Sequence, residues 1–328
     1  MRRIARSLRA VFVRIEPNLL EDQPAAGLAA AAALLRLDGL VPLASFGLAW
    51  LAVVAVPVLV RERRAALARV PWRRLLQAAL VLAAPLALHL AWRRGYYGAW
   101  LPNTWAIKAH GALLRDTYGH DYVLAWLDAM PLVYTAPLLV LLRPRHLLLV
   151  LPIAAVVAYG WSVGGDFMAY GRFYVVATGL FATLVGWLLA DGARLLSRVV
   201  PQPLCAALPV LLGLALATAC AFRAHARWQD DMAKPSGWLD GKWEGVAAMD
   251  RFARVGLAVG QWMHDNLPPD TLLSVGAAGA VPYGADLPVV DAYGLVDPEL
   301  AHLPGLRPHD GPGARPGHQL VAPASYVK

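Results

Sequence analysis

Six stretches of this chain run for about twenty residues with almost no charge: 39–60, 75–92, 122–142, 146–163, 173–190 and 204–222. An α-helix needs about 20 apolar residues to cross the hydrocarbon of a bilayer. Runs of that length in lipid must satisfy every backbone N–H and C=O within their own segment, which an α-helix does and an open strand does not. The expected fold is therefore an α-helical polytopic membrane protein with about six transmembrane helices. A shorter run, 24–35, is too brief to span and reads as a half-helix or re-entrant piece. Composition agrees: 58% of the 328 residues are hydrophobic and 16% charged, against about 25% charged in an ordinary soluble domain. Cys205 and Cys220 share one apolar run, where free cysteine behaves as a small buried hydrophobe.

The net charge of +8 has to be placed before it is interpreted. Residues 1–222 hold 21 Lys+Arg against 10 Asp+Glu, whereas residues 223–328 hold 9 against 12. The excess thus belongs to the hydrophobic part and the polar tail is slightly acidic, the reverse of a nucleic-acid-binding appendage, so nucleic acid is not expected as a partner. Short-loop Lys/Arg bias sets orientation. Arg61, Arg63, Arg64, Arg69, Arg73 and Arg74 stand against Glu62 alone, which assigns that loop to the cytoplasm. Alternation then puts Arg143/Arg145 and Arg194/Arg198 inside and sends 93–121, 164–172 and the tail from 223 outside. The expected location is the cytoplasmic (inner) membrane, multi-pass, with the C-terminal part outside. Arg2, Arg3, Arg6, Arg9 and Arg14 lie among apolar residues without a cleavage-site pattern, so 1–23 reads as a cytoplasmic basic amphipathic segment. The division is then 1–23, a transmembrane part 24–222, and 223–328 outside.

The tail has another texture. Phe252, Val255, Val259, Trp262 and Met263 fall at helical spacing, and Pro268-Pro269 ends that helix, which predicts it over 251–266. Residues 271–275 and 288–290 read as short strands around a Gly-rich turn at 276–284, and loop is expected beyond Pro304. The whole reads as a small C-terminal extracytoplasmic α/β element.

Polar residues cluster in two outer loops. One runs from Arg93-Arg94 through Asn103 to Lys108; the other is Gly164-Gly165-Asp166-Phe167-Met168-Ala169-Tyr170-Gly171-Arg172. Arg93, Arg94, Lys108 and Arg172 are suited to a phosphate, and Asn103 and Asp166 to hydroxyls. Arg93 and Arg94 also fit ordinary snorkelling at a helix end, with Trp92, Tyr96, Tyr97 and Trp100 as an interfacial belt. Asp166, flanked by glycines and followed by Arg172 on a short loop, reads either as a functional acid or as half of a structural ion pair. In the tail, Asp291 follows a strand, a position where ligand-contacting groups occur. Asp297 reads as a turn or helix cap. His89 reads as a packed histidine. No His/Cys/Asp spacing makes a metal site and no Gly-rich loop has the context of a nucleotide cradle, so the sequence shows no required cofactor and leaves dependence on a divalent metal open.

The run YYGAWLPNTWAIK, the loop GGDFMAYGR, the segment SVGAAGAVPYGADLPVVDAYGLVDPELAH and the earlier LLRLDGL resemble GT-C-type membrane glycosyltransferases similar to the mycobacterial terminal β-(1→2)-arabinofuranosyltransferase. The similarity runs in the same order from about Ala25 to about Tyr326. GGDFM followed by Arg, together with YYG-x-x-x-PNT, carries it. The resemblance implies transfer of a sugar from a polyprenyl-phosphate donor to a cell-envelope glycan on the outer face, with arabinofuranose as the implied sugar. It implies that Arg93, Arg94, Lys108 and Arg172 bind the lipid phosphate, and that Asn103 and Asp291 bind sugar or acceptor. Asp166 is the candidate catalytic carboxylate.

The family's acidic pair, which sits in a first outer loop after an N-terminal span, has no counterpart here. Asp38 belongs to a later family motif and does not replace it. The chain is therefore read as a truncated or mis-started member. The alternative is a non-catalytic membrane protein that binds lipid-linked sugar or glycan without turnover. A transporter ranks last, because the spans are nearly free of ionisable residues, Asp128 and His89 being the exceptions.

Overall fold

The computed structural model describes residues 27, 30, 31, 33, 34, 39–52, 72–109, 115–233, 238, 239, 243–276, 278–303, 307, 308, 317, 318 and 320–327. The basic segment 1–23, Asp38, the arginines from 61 to 69 and the side chains of Arg74 and Lys108 lie outside the described residues.

The apolar runs form helices. They are α1 (Leu40–Trp50), α2 (Trp72–Tyr97), α4 (His120–Ala129), α5 (Leu147–Ser162), α6 (Val175–Leu196) and α7 (Gln202–Ala233). Between α2 and α4 lies the short α3 (Asn103–Ala109). Pro85, Pro152 and Pro209 sit inside α2, α5 and α7, as membrane helices tolerate. Side chains such as Leu88, 72% exposed, and Leu211, 62% exposed, would make an insoluble surface in water. Lipid is the solvent that suits them, and the protein is a helical membrane protein.

Among the described residues four helices are long and apolar enough to cross a bilayer: Leu76–Tyr97, Pro144–Ser162, Tyr170–Leu196 and Pro203–Ala233. Of the six expected runs, one is described only in part and one is broken. In run 39–60, Leu40–Trp50 is α-helix and the helical backbone continues through residue 52; residues 53–60 lie outside the described set. Run 122–142 is broken: α4 is followed by a 3-10 helix, Pro131–Leu141, bent by 91° from it. The break has a local cause. Met130 precedes Pro131 and takes an extended backbone, φ −103 and ψ 103, the conformation that a following proline ring imposes, and Pro131 has no N–H to continue the ladder.

Two compact units divide the chain: residues 1–101 with 143–155, and residues 102–142 with 156–328. This is a division by contact, and it differs from one drawn at residue 222 by lipid exposure. In the first unit α2 ends in an aromatic cluster, Trp92 stacking on Tyr96 at 5.5 Å and meeting Tyr97 edge-on at 5.7 Å. Arg143 N donates to Nδ1 of buried His146 at 2.9 Å, bracing the turn that opens α5.

In the second unit α6 is the hub. Val185 and Leu189 pack with Met130, Leu138, Phe181, Leu216 and Cys220, joining α6 to the 3-10 helix and to α7. The tail begins with β1 (Trp238–Leu239) antiparallel to β2 (Trp243–Glu244), then α8 (Val246–Asn266). Strands β3 (Leu273–Val275) and β4 (Val289–Asp291) are parallel, with α9 (Ala280–Ala285) between them. This corrects the Gly-rich turn expected at 276–284. A tight turn joins only antiparallel strands, and a parallel pair needs a crossover. Gly256 and Gly260 let α8 approach α9 closely, and a Cβ at Gly260 would collide with the backbone of Val281. α8 also starts five residues earlier than the apolar spacing suggests, because its first turn is capped from elsewhere in the fold. Beyond Pro304 the chain is not all loop: β5 (Arg307–Pro308) pairs with β6 (Leu320–Val321), and α10 (Ala324–Val327) follows.

Candidate functional site

The loop between α5 and α6 is built by its glycines. Gly164 and Gly165 take φ of 81° and 74°, which a side chain would strain, and a Cβ at Gly165 would come within 2.7 Å of the Tyr122 side chain. This reversal tucks Asp166 inside, where it is 2% exposed. Arg172 Nε donates to Asp166 Oδ2, so the two residues form an ion pair. Among the described residues no other donor reaches Asp166. The Arg172 side chain is 42% exposed, and its guanidinium passes over Phe173 at 5.9 Å. A guanidinium held by one edge on a buried carboxylate keeps its remaining N–H groups for an anion.

The same loop is anchored to the tail. Glu244 N donates to Phe167 O at 2.9 Å, and the Phe167 ring meets His318 at 5.2 Å. His318 in turn stacks on Tyr293 at 4.7 Å. Asp291, buried at the end of β4, accepts from Tyr293 N at 3.0 Å and from Val296 N at 2.8 Å. Both of its oxygens therefore hold the turn after the strand. Asp297 accepts from Glu299 N and Leu300 N and from the Tyr326 hydroxyl, all at 3.0 Å, as a cap does. The Tyr326 phenol is pushed upward by desolvation and by this bond to Asp297. α3, which opens at Asn103, docks here too through buried Ile107 against Ala301 and Leu320. Tertiary packing thus brings the loop that carries Asp166, through Phe167, and the α3 segment onto the part of the tail that holds the Asp291 turn.

Arg93 and Arg94 belong to the other compact unit. Arg93 Nε donates to Trp100 O at 3.3 Å and its guanidinium lies 5.3 Å from the Tyr97 ring centre; Arg94 donates to Gly98 O. Both cations fold back on the turn that follows their own helix.

Beside the Asp166 loop lies a small open cleft lined by Tyr122, Trp126, Met130, Met168, Tyr170 and Arg227, residues to which the sequence reading gave no role. Its back wall is rigid: Trp126 Nε1 donates to Thr178 at 3.0 Å, and Tyr174 packs on Tyr122 at 4.9 Å and on Trp126 at 5.1 Å. Arg227 sits past Phe222, where α7 turns from apolar to polar. A cleft with aromatic walls and an arginine at its edge suits an amphiphile with an anionic head. The sequence signal for it was faint. Aromatic residues near a helix end look like an interfacial belt, and Asp230-Asp231 looks like a solvated pair. Among the described residues no group of three or more His, Cys, Asp or Glu could hold a metal ion.

Residues 245–324 match a domain of unknown function, DUF8728. The matched stretch starts at the residue before α8 and runs through β6 to the start of α10. It therefore covers the segment on which the Asp166 loop and α3 are docked, and leaves the transmembrane helices outside it. No curated protein matches the chain, and no solved structure does.

Proposed function

We propose that this protein is a glycosyltransferase of GT-C type that moves a sugar, arabinofuranose by its motif resemblance, from a polyprenyl-phosphate donor to a cell-envelope glycan. The reaction takes place at the outer face of the cytoplasmic membrane, with six spans and the α/β tail outside. One observation carries the reading: the Arg172 guanidinium is fixed on buried Asp166, and the loop that holds both supplies Met168, Tyr170 and Gly171 to an aromatic cleft. Chemistry of this kind needs that combination. The acceptor hydroxyl attacks the anomeric carbon, the bond from that carbon to the phosphate oxygen breaks, and polyprenyl phosphate leaves with the electron pair. Arg172 stabilises the charge that develops on the phosphate. The hydroxyl proton goes to a carboxylate, for which Asp166 is the candidate. Aromatic walls such as Tyr122 and Trp126 suit sugar and isoprenoid faces. The proposed partners are the lipid-linked donor, the glycan acceptor and the bilayer.

A second reading, binding of lipid-linked sugar without turnover, draws on the commitment of the acids. Asp166 is half of an ion pair and Asp291 is spent on backbone N–H groups. The test is transfer by the full chain in proteoliposomes containing polyprenyl-phosphoryl-[14C]arabinose and a short arabinoside acceptor. The expected result is product from the wild type and none from Asp166→Asn or Arg172→Ala, with both variants still inserted in the membrane. Wild-type turnover by both variants would remove these residues from the site. Donor retained without product supports the second reading, and neither retention nor product overturns both.

A further inference from the structure

Three segments far apart in sequence end on one carboxylate. Asp231, in the last turn of α7 and 1% exposed, accepts through Oδ2 the hydroxyl of Tyr170 at 2.9 Å and the backbone N–H of Val246 at 2.8 Å. Tyr170 is a wall of the cleft. Val246 is the first residue of α8 and lies at the start of the DUF8728 match.

Each end of this junction is incomplete without the carboxylate. Tyr170 has φ 67 and ψ 12, a left-handed backbone that a bulky residue adopts at a cost of about 1–3 kcal/mol and only where its surroundings over-determine it. Its hydroxyl bond to Asp231 is one such constraint. At the other end, the first N–H groups of a helix have no acceptor within the helix and are usually met by an N-cap side chain. The N-cap of α8 is Gly245, which has none. A side chain there would displace the Asp231 carboxylate: a Cβ at Gly245 would run into it as it stands. The cap of the tail's long helix is thus supplied by a membrane helix, through the same oxygen that holds the cleft wall.

We infer that Asp231 is a latch coupling the Tyr170 wall of the cleft to the first turn of α8. Two donors on one oxygen restrain one side-chain rotamer. When Tyr170 swings away, as entry of a ligand into the cleft would make it do, the carboxylate loses half of that restraint and the cap on Val246 loosens. Conversely, a firmly capped α8 sets the carboxylate that draws Tyr170 into its left-handed conformation. Occupancy of the cleft is in this way communicated to the tail without any contact between ligand and tail.

Hydrogen–deuterium exchange on the full chain in lipid nanodiscs tests the latch with no ligand present, so its outcome is separate from that of the transfer assay. Tyr170→Phe removes one hydroxyl and leaves the ring, Asp231 and Val246 in place. It is expected to speed exchange of the amides at 246–249 about tenfold, the order that loss of one bond to a charged acceptor produces. Exchange at 258–264, in the second half of α8, should remain at the wild-type rate. Asp231→Asn should speed exchange both at 246–249 and at 167–173. Unchanged exchange at 246–249 in Tyr170→Phe would overturn the inference, because the cap would then act without Tyr170. The phenylalanine variant alone decides the matter if Asp231→Asn does not fold.

Discussion

Removing either member of the Asp166–Arg172 pair should not cost the same. The carboxylate is 2% exposed and the guanidinium side chain 42%, so the two partners have different fates when left alone. Arg172→Met strands a buried charge that no other described donor reaches, and breaking a buried pair in this way costs about 3–5 kcal/mol. Partial exposure of the pair favours the lower end, about 3 kcal/mol. Asp166→Asn leaves a guanidinium that turns toward water and an amide that still accepts one bond, a loss of about 1 kcal/mol. The difference of about 2 kcal/mol is roughly a 30-fold change in the unfolding equilibrium. Equilibrium unfolding of the purified chain in mixed micelles by SDS titration, followed by tryptophan fluorescence, measures it. The double variant Asp166→Asn/Arg172→Met should be more stable than Arg172→Met alone, because the unpaired charge is gone. Equal losses from the two single substitutions, or a double variant as unstable as Arg172→Met, would refute the assignment of Asp166 as a buried carboxylate dependent on Arg172.

Two further outcomes are expected. The Tyr326 phenol is raised by desolvation and by its bond to Asp297, so the stability it contributes is fully present below the unfolded phenol value of about 10 and is lost as pH rises from there through the folded value. Tyr326→Phe should cost about 1 kcal/mol at pH 7 and flatten the alkaline slope of the tail's near-ultraviolet melting curve; an unchanged slope counts against the bond. For orientation, a single cysteine at exposed Asp270 should react with an impermeant maleimide on intact cells, and one at Arg143 only after permeabilisation, with Cys205 and Cys220 replaced. The opposite pattern would invert the proposed topology.

Much of the fold was legible because its cause is local. Helices α2, α5, α6 and α7 coincide with apolar runs, since in lipid a long uncharged segment has only one way to satisfy its backbone. Proline and glycine were legible only as punctuation. Pro131 was visible in the run at 122–142, yet the 91° bend it causes depends on what the emerging 3-10 helix packs against. The Asp166 loop showed its chemistry through its Gly-Gly-Asp and Arg spacing, and the pair it forms is local. Tyr170, Asp231 and Gly245 each look unremarkable in sequence, because their meaning lies in meeting one another across 75 positions.

The sequence by itself determined that this chain lives in a membrane, where its helices fall, and that polar groups gather in a loop after α5. These follow from hydropathy and chain stiffness, which act over a few residues. Only the tertiary structure decided that Asp166 is buried beneath Arg172, that aromatic side chains of α4 and the loop enclose a cleft, and that a carboxylate of α7 caps the first helix of the tail. Burial and capping by distant residues depend on which segments approach one another, and that is settled by close packing over the whole unit rather than by any local preference.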